Sequence, residues 1–139
     1  MYKIIDGIYI GNIWDAYDLE SIEKNKIKTI ISLLDNNETN NDNELYKKNI
    51  ILKKYNILNE YKYRYAILPI AEDIFNIINS SGDNILIYCF DCKSLSIVVI
   101  IYYLIKQYNY SYEKAYDFIY NINSNIEIYP AFNLELKQL

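Results

Sequence analysis

The most regular signal along the chain is a short apolar run, Ile85 to Tyr88, a polar and thiol-bearing stretch, and then an unbroken apolar run from Ile97 to Ile105. The first run is too brief for a helix and β-rich enough for a buried strand. Periodicity alone does not separate helix from strand in the second run, but its flanks do. Ser94 and Ser96 suit an N-cap, and Lys106 and Asn109 suit a last turn and a C-terminal cap. A helix apolar on every side belongs at the centre of a fold, packed on all faces. Its β-branched residues are poor intrinsic helix formers, so tertiary burial has to hold it.

The rest of the chain is patterned around this unit. Tyr2 to Ile5 and Ile8 to Ile10 read as two short strands around the turn dipeptide Asp6-Gly7. Trp14 to Lys24 places Ala16, Leu19, Ile22 and Glu23 at helical spacing, and Ile27 to Leu34 reads as a buried strand. Asp35 to Asn43 is an Asn-rich acidic stretch, read as a solvated, mobile loop. Glu44 to Glu60 mixes lysines with Leu45, Ile50, Ile51, Leu52, Ile57 and Leu58 and predicts one or two short helices. Tyr61 to Tyr65 alternates aromatic and basic residues, as a half-exposed edge strand does. Ile74 to Ser80 has room for a short helix, and Ser111 caps the start of another.

At 139 residues the chain has enough length for one domain, 1–139, with a proper core. A formal net charge of −4 argues against a nucleic-acid binder, which would show a basic face, and Arg64 is the sole arginine. The opening Met-Tyr-Lys-Ile-Ile-Asp-Gly has no signal-peptide pattern. The apolar run from Ile97 falls far below the ~18 residues that suggest a membrane span. Two cysteines then read as intracellular thiols, which points to the cytoplasm, and with no histidine they leave a zinc ligand set half empty. The excess of Ile, Asn, Tyr and Lys looks like translation of an AT-rich genome, such as that of large DNA viruses (poxviruses among them) or protozoa.

A strand that runs through a tight loop into a helix N-terminus is a general anion-binding device, because the first-turn amides have no intrahelical partner and the helix dipole favours negative charge. With Cys89 at the strand end, the arrangement resembles the phosphate loop of cysteine-dependent protein phosphatases: His-Cys, five residues, then Arg and Ser or Thr. By that resemblance Tyr88 stands where the His belongs, Cys89 matches the nucleophile, Leu95 stands where the Arg belongs, and Ser96 matches the following hydroxyl. Phe90, Asp91, Cys92, Lys93 and Ser94 complete the loop, with Cys92 in place of a glycine usual in the dual-specificity branch. Ile4 to Asn12 resembles the opening of that branch, Ser111 to Ile119 resembles one of its later helices, and Ile128 to Leu139 resembles its closing segment with a small deletion. Leu68 to Asp73 is similar to its "I-P-V-x-D" segment, which puts Glu72 at the general-acid position with Asp73 beside it. Too few residues follow for the usual loop and helix, so Glu72 is expected to be a surface carboxylate rather than a catalyst.

The resemblance implies an α/β fold with a central, mostly parallel or mixed sheet of four to five strands flanked by helices on both sides. It also implies a damaged active site. The family's arginine grips phosphate with two charge-assisted hydrogen bonds of roughly 1.5–3 kcal/mol each, and losing both costs on the order of two to four powers of ten in binding. Asp91, expected about 7 Å from a bound phosphate, would repel it by roughly 2 kcal/mol per unit charge. These departures imply an inactive member of the family, a pseudophosphatase that binds a protein partner or a second copy of itself, needs no cofactor or metal and holds phosphate weakly or not at all. Two alternatives stand beside it: a weak phosphatase working through Cys89, Ser96 and Glu72, and a thiol redox protein using Cys89-Phe90-Asp91-Cys92 as a C-x-x-C.

Overall fold

The computed structural model describes residues 1–34, 48–57 and 67–139. The loop read at 35–43, the first part of the helices read at 44–60 and the edge strand read at 61–65 lie outside the described residues.

Five strands form one mixed sheet: β1 (Tyr2–Ile5), β2 (Ile8–Gly11), β3 (Ile27–Leu34), β4 (Ile51–Asn56) and β5 (Asn84–Cys89), in the order β1-β2-β5-β3-β4. β1 and β2 are antiparallel across the Asp6-Gly7 turn, where Gly7 takes φ 87°. β2, β5, β3 and β4 run parallel. The helices are α1 (Ile13–Tyr17), α2 (Leu19–Lys24), α3 (Ile67–Ser80), α4 (Leu95–Tyr108), α5 (Tyr112–Ile122) and α6 (Pro130–Lys137). Side chains of β5 alternate between the two sheet faces: Ile85, Ile87 and Cys89 join one apolar core, while Leu86 and Tyr88 join the other. The first core lies under α3 to α6, and the second under α1 and α2.

The apolar run after the loop is the central helix α4, as its flanks predicted. Ser96 to Leu104 are all buried, and Asn109 ends the helix in the left-handed conformation at φ 57°. Burial of each aliphatic side chain contributes roughly 1.5–3 kcal/mol. That outweighs the few tenths of a kcal/mol per residue by which Ile and Val disfavour a helix. Ser111 caps α5 through its hydroxyl, which accepts from the Lys114 amide at 3.1 Å.

Three elements differ from the sequence reading. The stretch 14–24 is two helices, not one, because the Asp18 carboxylate caps a new start by accepting from the Ser21 amide and hydroxyl. Ile51 to Asn56, expected as helix, is instead the edge strand β4 in parallel register with β3. Its Leu52 and Tyr55 pack on opposite sheet faces, so a free strand edge and apolar cover outweighed helix propensity. Finally, α3 begins at Ile67 rather than Ile74. Pro69 lies in its first turn, where a missing N–H leaves no gap, and Ile67, Ala71 and Ile74 share its buried face. Among the described residues, no helix is long and apolar enough to cross a membrane.

Ile100→Ala should lower the free energy of unfolding by about 2–5 kcal/mol, as expected for truncating a fully buried side chain. Trp14→Ala, at an exposed position, should change it by less than about 0.5 kcal/mol. Urea denaturation of both variants checks the ranking, and equal losses would contradict the packing described.

Candidate functional site

The site is built where β5 hands over to α4. Cys89 ends the strand and is buried, and Ser96, in the first turn of the helix, faces it with Oγ 3.2 Å from Cys89 Sγ. The same hydroxyl lies 3.8 Å from Cys92 Sγ, so Ser96 sits between the two free thiols. Asp91 is exposed, yet its carboxylate folds back over the loop. Its Oδ1 accepts from the Lys93 amide at 3.1 Å and stands 3.9 Å from Cys89 Sγ. The carboxylate therefore lies beside the thiol, and it occupies one of the loop amides that would otherwise face an anion.

The loop backbone is held on both sides. The Ile13 amide donates to the Phe90 carbonyl at 3.1 Å, and the Glu127 amide donates to the Lys93 carbonyl at 3.0 Å. The Asn123 side-chain amide, buried at the end of α5, donates to the Cys92 carbonyl at 3.3 Å. These clamps were missed in the sequence. Asn123 could be read only as a helix end, and a backbone amide leaves no trace in residue type. Ser94 occupies the N-cap of α4 but makes no side-chain cap, and its buried Oγ has no hydrogen-bond partner. Leu95 is half-buried at the first helical position and offers no donor from its side chain.

Cys92 adopts φ 59°, a conformation that costs a side-chain-bearing residue about 1–2 kcal/mol and that glycine takes without penalty. Burial pushes its thiol up to about 12, and the neighbouring Cys89 adds to the rise. Tyr88 is fully buried on the opposite face of β5, away from Cys89.

Glu72 and Asp73 are not brought to this loop. Both lie within α3 rather than in a loop over the cysteine, with Glu72 accepting from the Tyr102 hydroxyl and Asp73 from the Tyr55 hydroxyl. Burial and these carboxylates hold both phenols well above the usual tyrosine range. The segment similar to the family's acid segment is part of a helix that begins at Ile67, where a helix was expected only over Ile74 to Ser80, and the residues just before it lie outside the described ones. That Glu72 is an exposed carboxylate agrees with the sequence reading.

A thiol at the end of a central parallel strand, a tight loop and a buried helix match the family model "Dual specificity phosphatase, catalytic domain" over residues 8–139. The chain belongs to the dual-specificity phosphatase family. It is 32% identical over 96 residues to the R622 protein of Acanthamoeba polyphaga mimivirus, named for a tyrosine-protein phosphatase, covering 67% of this chain and 45% of that one. It is 26% identical to human dual specificity protein phosphatase 9 over 133 residues, 94% of this chain and 33% of the relative. The chain therefore spans less than half the length of either curated relative. The crystal structure of DUSP15 superposes with a TM-score of 0.85 at 22% identity, covering 99% of this chain and 85% of that one. The human tyrosine phosphatase-like serine/threonine/tyrosine-interacting protein does so with a TM-score of 0.80 at 18% identity, covering 99% and 93%. Both confirm the fold.

The raised Cys92 thiol has a consequence for stability at alkaline pH. Unfolded, the thiol ionises near the ordinary cysteine value of 9.0, whereas the folded protein holds the proton to about 12. Its contribution is therefore complete below pH 9 and is lost as pH rises through the folded value. Between pH 9 and 10 this loss should reach about 1 kcal/mol. Urea unfolding of the wild type and Cys92→Ala at both pH values should show a clearly shallower loss in the variant. Parallel slopes would mean that Cys92 is not desolvated.

Proposed function

We propose that this member of the family is a catalytically inactive phosphatase, a pseudophosphatase whose domain serves as a protein-binding or regulatory module. The observation that carries this reading is the pairing of Leu95 at the phosphate-gripping position with the Asp91 carboxylate folded onto the Lys93 amide. Phosphoryl transfer depends on positive, pre-oriented donors around the transferring group. Here a donor side chain is missing and a negative charge lies beside the thiol. The likeness in fold to the human tyrosine phosphatase-like serine/threonine/tyrosine-interacting protein supports the same reading. A protein partner, or a second copy of this chain, is the binding target in this proposal. The cytoplasm is its compartment, and the site needs neither cofactor nor metal.

One observation favours a second reading, a weak phosphatase. Ser96 keeps its hydroxyl 3.2 Å from Cys89 Sγ, where it could support the thiolate as a leaving group. The geometry offers less to a redox role, because Cys92 is buried and its thiol is held protonated.

Purified protein should turn over an aryl phosphate no faster than a Cys89→Ser control. Leu95→Arg alone should leave turnover at that background, because the Asp91 carboxylate still faces the restored guanidinium and competes for it. Steady-state assays at high enzyme concentration read both. Cys89-dependent turnover by the unmodified chain would establish the second reading instead.

A further inference from the structure

The loop that grips an anion elsewhere in the family is flanked here by exposed aromatic rings. Trp14 is 72% exposed and Phe90 55% exposed, unusual values for the two residue types. They are neighbours across the chain, since Ile13 and Phe90 are joined by the 3.1 Å amide-to-carbonyl hydrogen bond. Tyr17, half-buried on α1, extends the patch with its ring centroid 6.1 Å from that of Trp14.

The patch stands on a stiff base. The Asn12 side chain accepts from the Asp15 amide at 3.0 Å, and the Asp15 carboxylate accepts from the Asn12 amide at 2.8 Å, a reciprocal cap. A Cβ on Gly11 would fall 2.6 Å from an Asp15 carboxylate oxygen, so this turn is packed to contact. The inward face of α1, Ile13 and Ala16, is buried, and Trp14 points to solvent from a helix that cannot shift easily.

The charge at this rim suits a cation. Asp91 is exposed at the loop mouth, and the arginine position is Leu95. Lys93 is the loop's one cation, and Glu127, whose amide donates to the Lys93 carbonyl, brings an acidic residue to the same rim. Asp15, at the base of the patch, adds no free charge, because its Oδ1 pairs with the Met1 ammonium at 3.0 Å; the rim's acidity rests on Asp91 and Glu127. An exposed carboxylate that follows the exposed Phe90 in the chain, on a loop hydrogen-bonded to the start of the helix that carries Trp14, is complementary to a guanidinium, which pairs with a carboxylate and stacks on an aromatic face.

We infer that this rim is a docking surface for an arginine-bearing segment of a protein partner, so that the family's anion site has become a site for a cationic side chain. The inference rests on the non-catalytic reading above and names the chemistry of the partner. The guanidinium lies against Trp14 and Phe90 and pairs with the outer oxygen of Asp91, while the inner oxygen keeps the Lys93 amide.

Trp14 is the only tryptophan in the chain, so its fluorescence reports on the rim directly. The full chain is titrated with three capped peptides of one sequence, carrying two arginines, two glutamines or one phosphotyrosine, with free guanidinium as a fourth probe. Calorimetry is run in parallel. The arginine peptide should bind at least about tenfold tighter than the glutamine peptide and should perturb Trp14 saturably. Asp91→Asn, which keeps an acceptor for the Lys93 amide, should weaken it about tenfold, as should Phe90→Ala at an exposed site where folding is not at stake. Free guanidinium should bind far more weakly than the peptide, which separates a segment from a lone cation. Tighter binding of the phosphotyrosine peptide would overturn the inference. So would arginine affinity unchanged in both variants, or a Trp14 signal that follows protein concentration, which would place a second copy there. The non-catalytic reading fails on a different result, Cys89-dependent turnover, so the two failures are distinguishable.

Discussion

The fold depends on the enclosure of α4 from Ser96 to Leu104. This stretch, apolar but for Ser96, has no solvent side, so it is helical only when the sheet, α3, α5 and α6 close around it. Enclosure in turn fixes where the helix begins, and the loop from Phe90 to Ser94 is the only chain left to join it to β5. The shape of that loop is therefore imposed by the core rather than chosen for chemistry. The loop's shape is correspondingly insensitive to residue type: the clamps from Ile13, Asn123 and Glu127 bind carbonyls, which any residue supplies.

What was legible in the sequence follows from this. Runs such as Ile27 to Leu34 and Ile97 to Ile105 are strongly periodic or uniformly apolar, and both emerged as read. Ser111 and Asn109 announced their caps by residue type. The failures share one cause, in that local signals were outweighed by distant partners. β4 looks helical on its own and is a strand because β3 offers it an edge. Pro69 looked like part of a loop and instead opens a helix whose buried face is set by Ile67, Ala71 and Ile74. Asp18 divides α1 from α2 through a cap that reads as an ordinary acidic residue.

The site was half legible. The positions of Cys89, Cys92 and Ser96 followed from their spacing, and the loop brings all three together. That Glu72 is an exposed carboxylate was legible, but that it and Asp73 lie within a helix beginning at Ile67 was not, because Pro69 reads as loop. The direction of the Asp91 side chain could not be read from the sequence, because a carboxylate in a tight loop can face solvent or turn back onto an amide two residues away. Nor could the exposure of Trp14 be read. An aromatic beside Ile13 and Ala16 is as easily core as surface until the helix phase is known.

The strand order also bears on how the chain reaches this state during synthesis. β2 is made long before its parallel partner β5, with Ile8 opposite Ile85. At ribosomal rates of about 5–20 residues per second, the earlier strand waits on the order of 4–15 s for the later one to emerge. Throughout that interval the hairpin of β1 and β2 presents a fully apolar open edge, Ile8, Tyr9 and Ile10, with only its antiparallel side satisfied. The nascent chain thus passes through a sticky intermediate that the finished sheet conceals, and its yield in a cell depends on what shields that edge before residue 85 arrives.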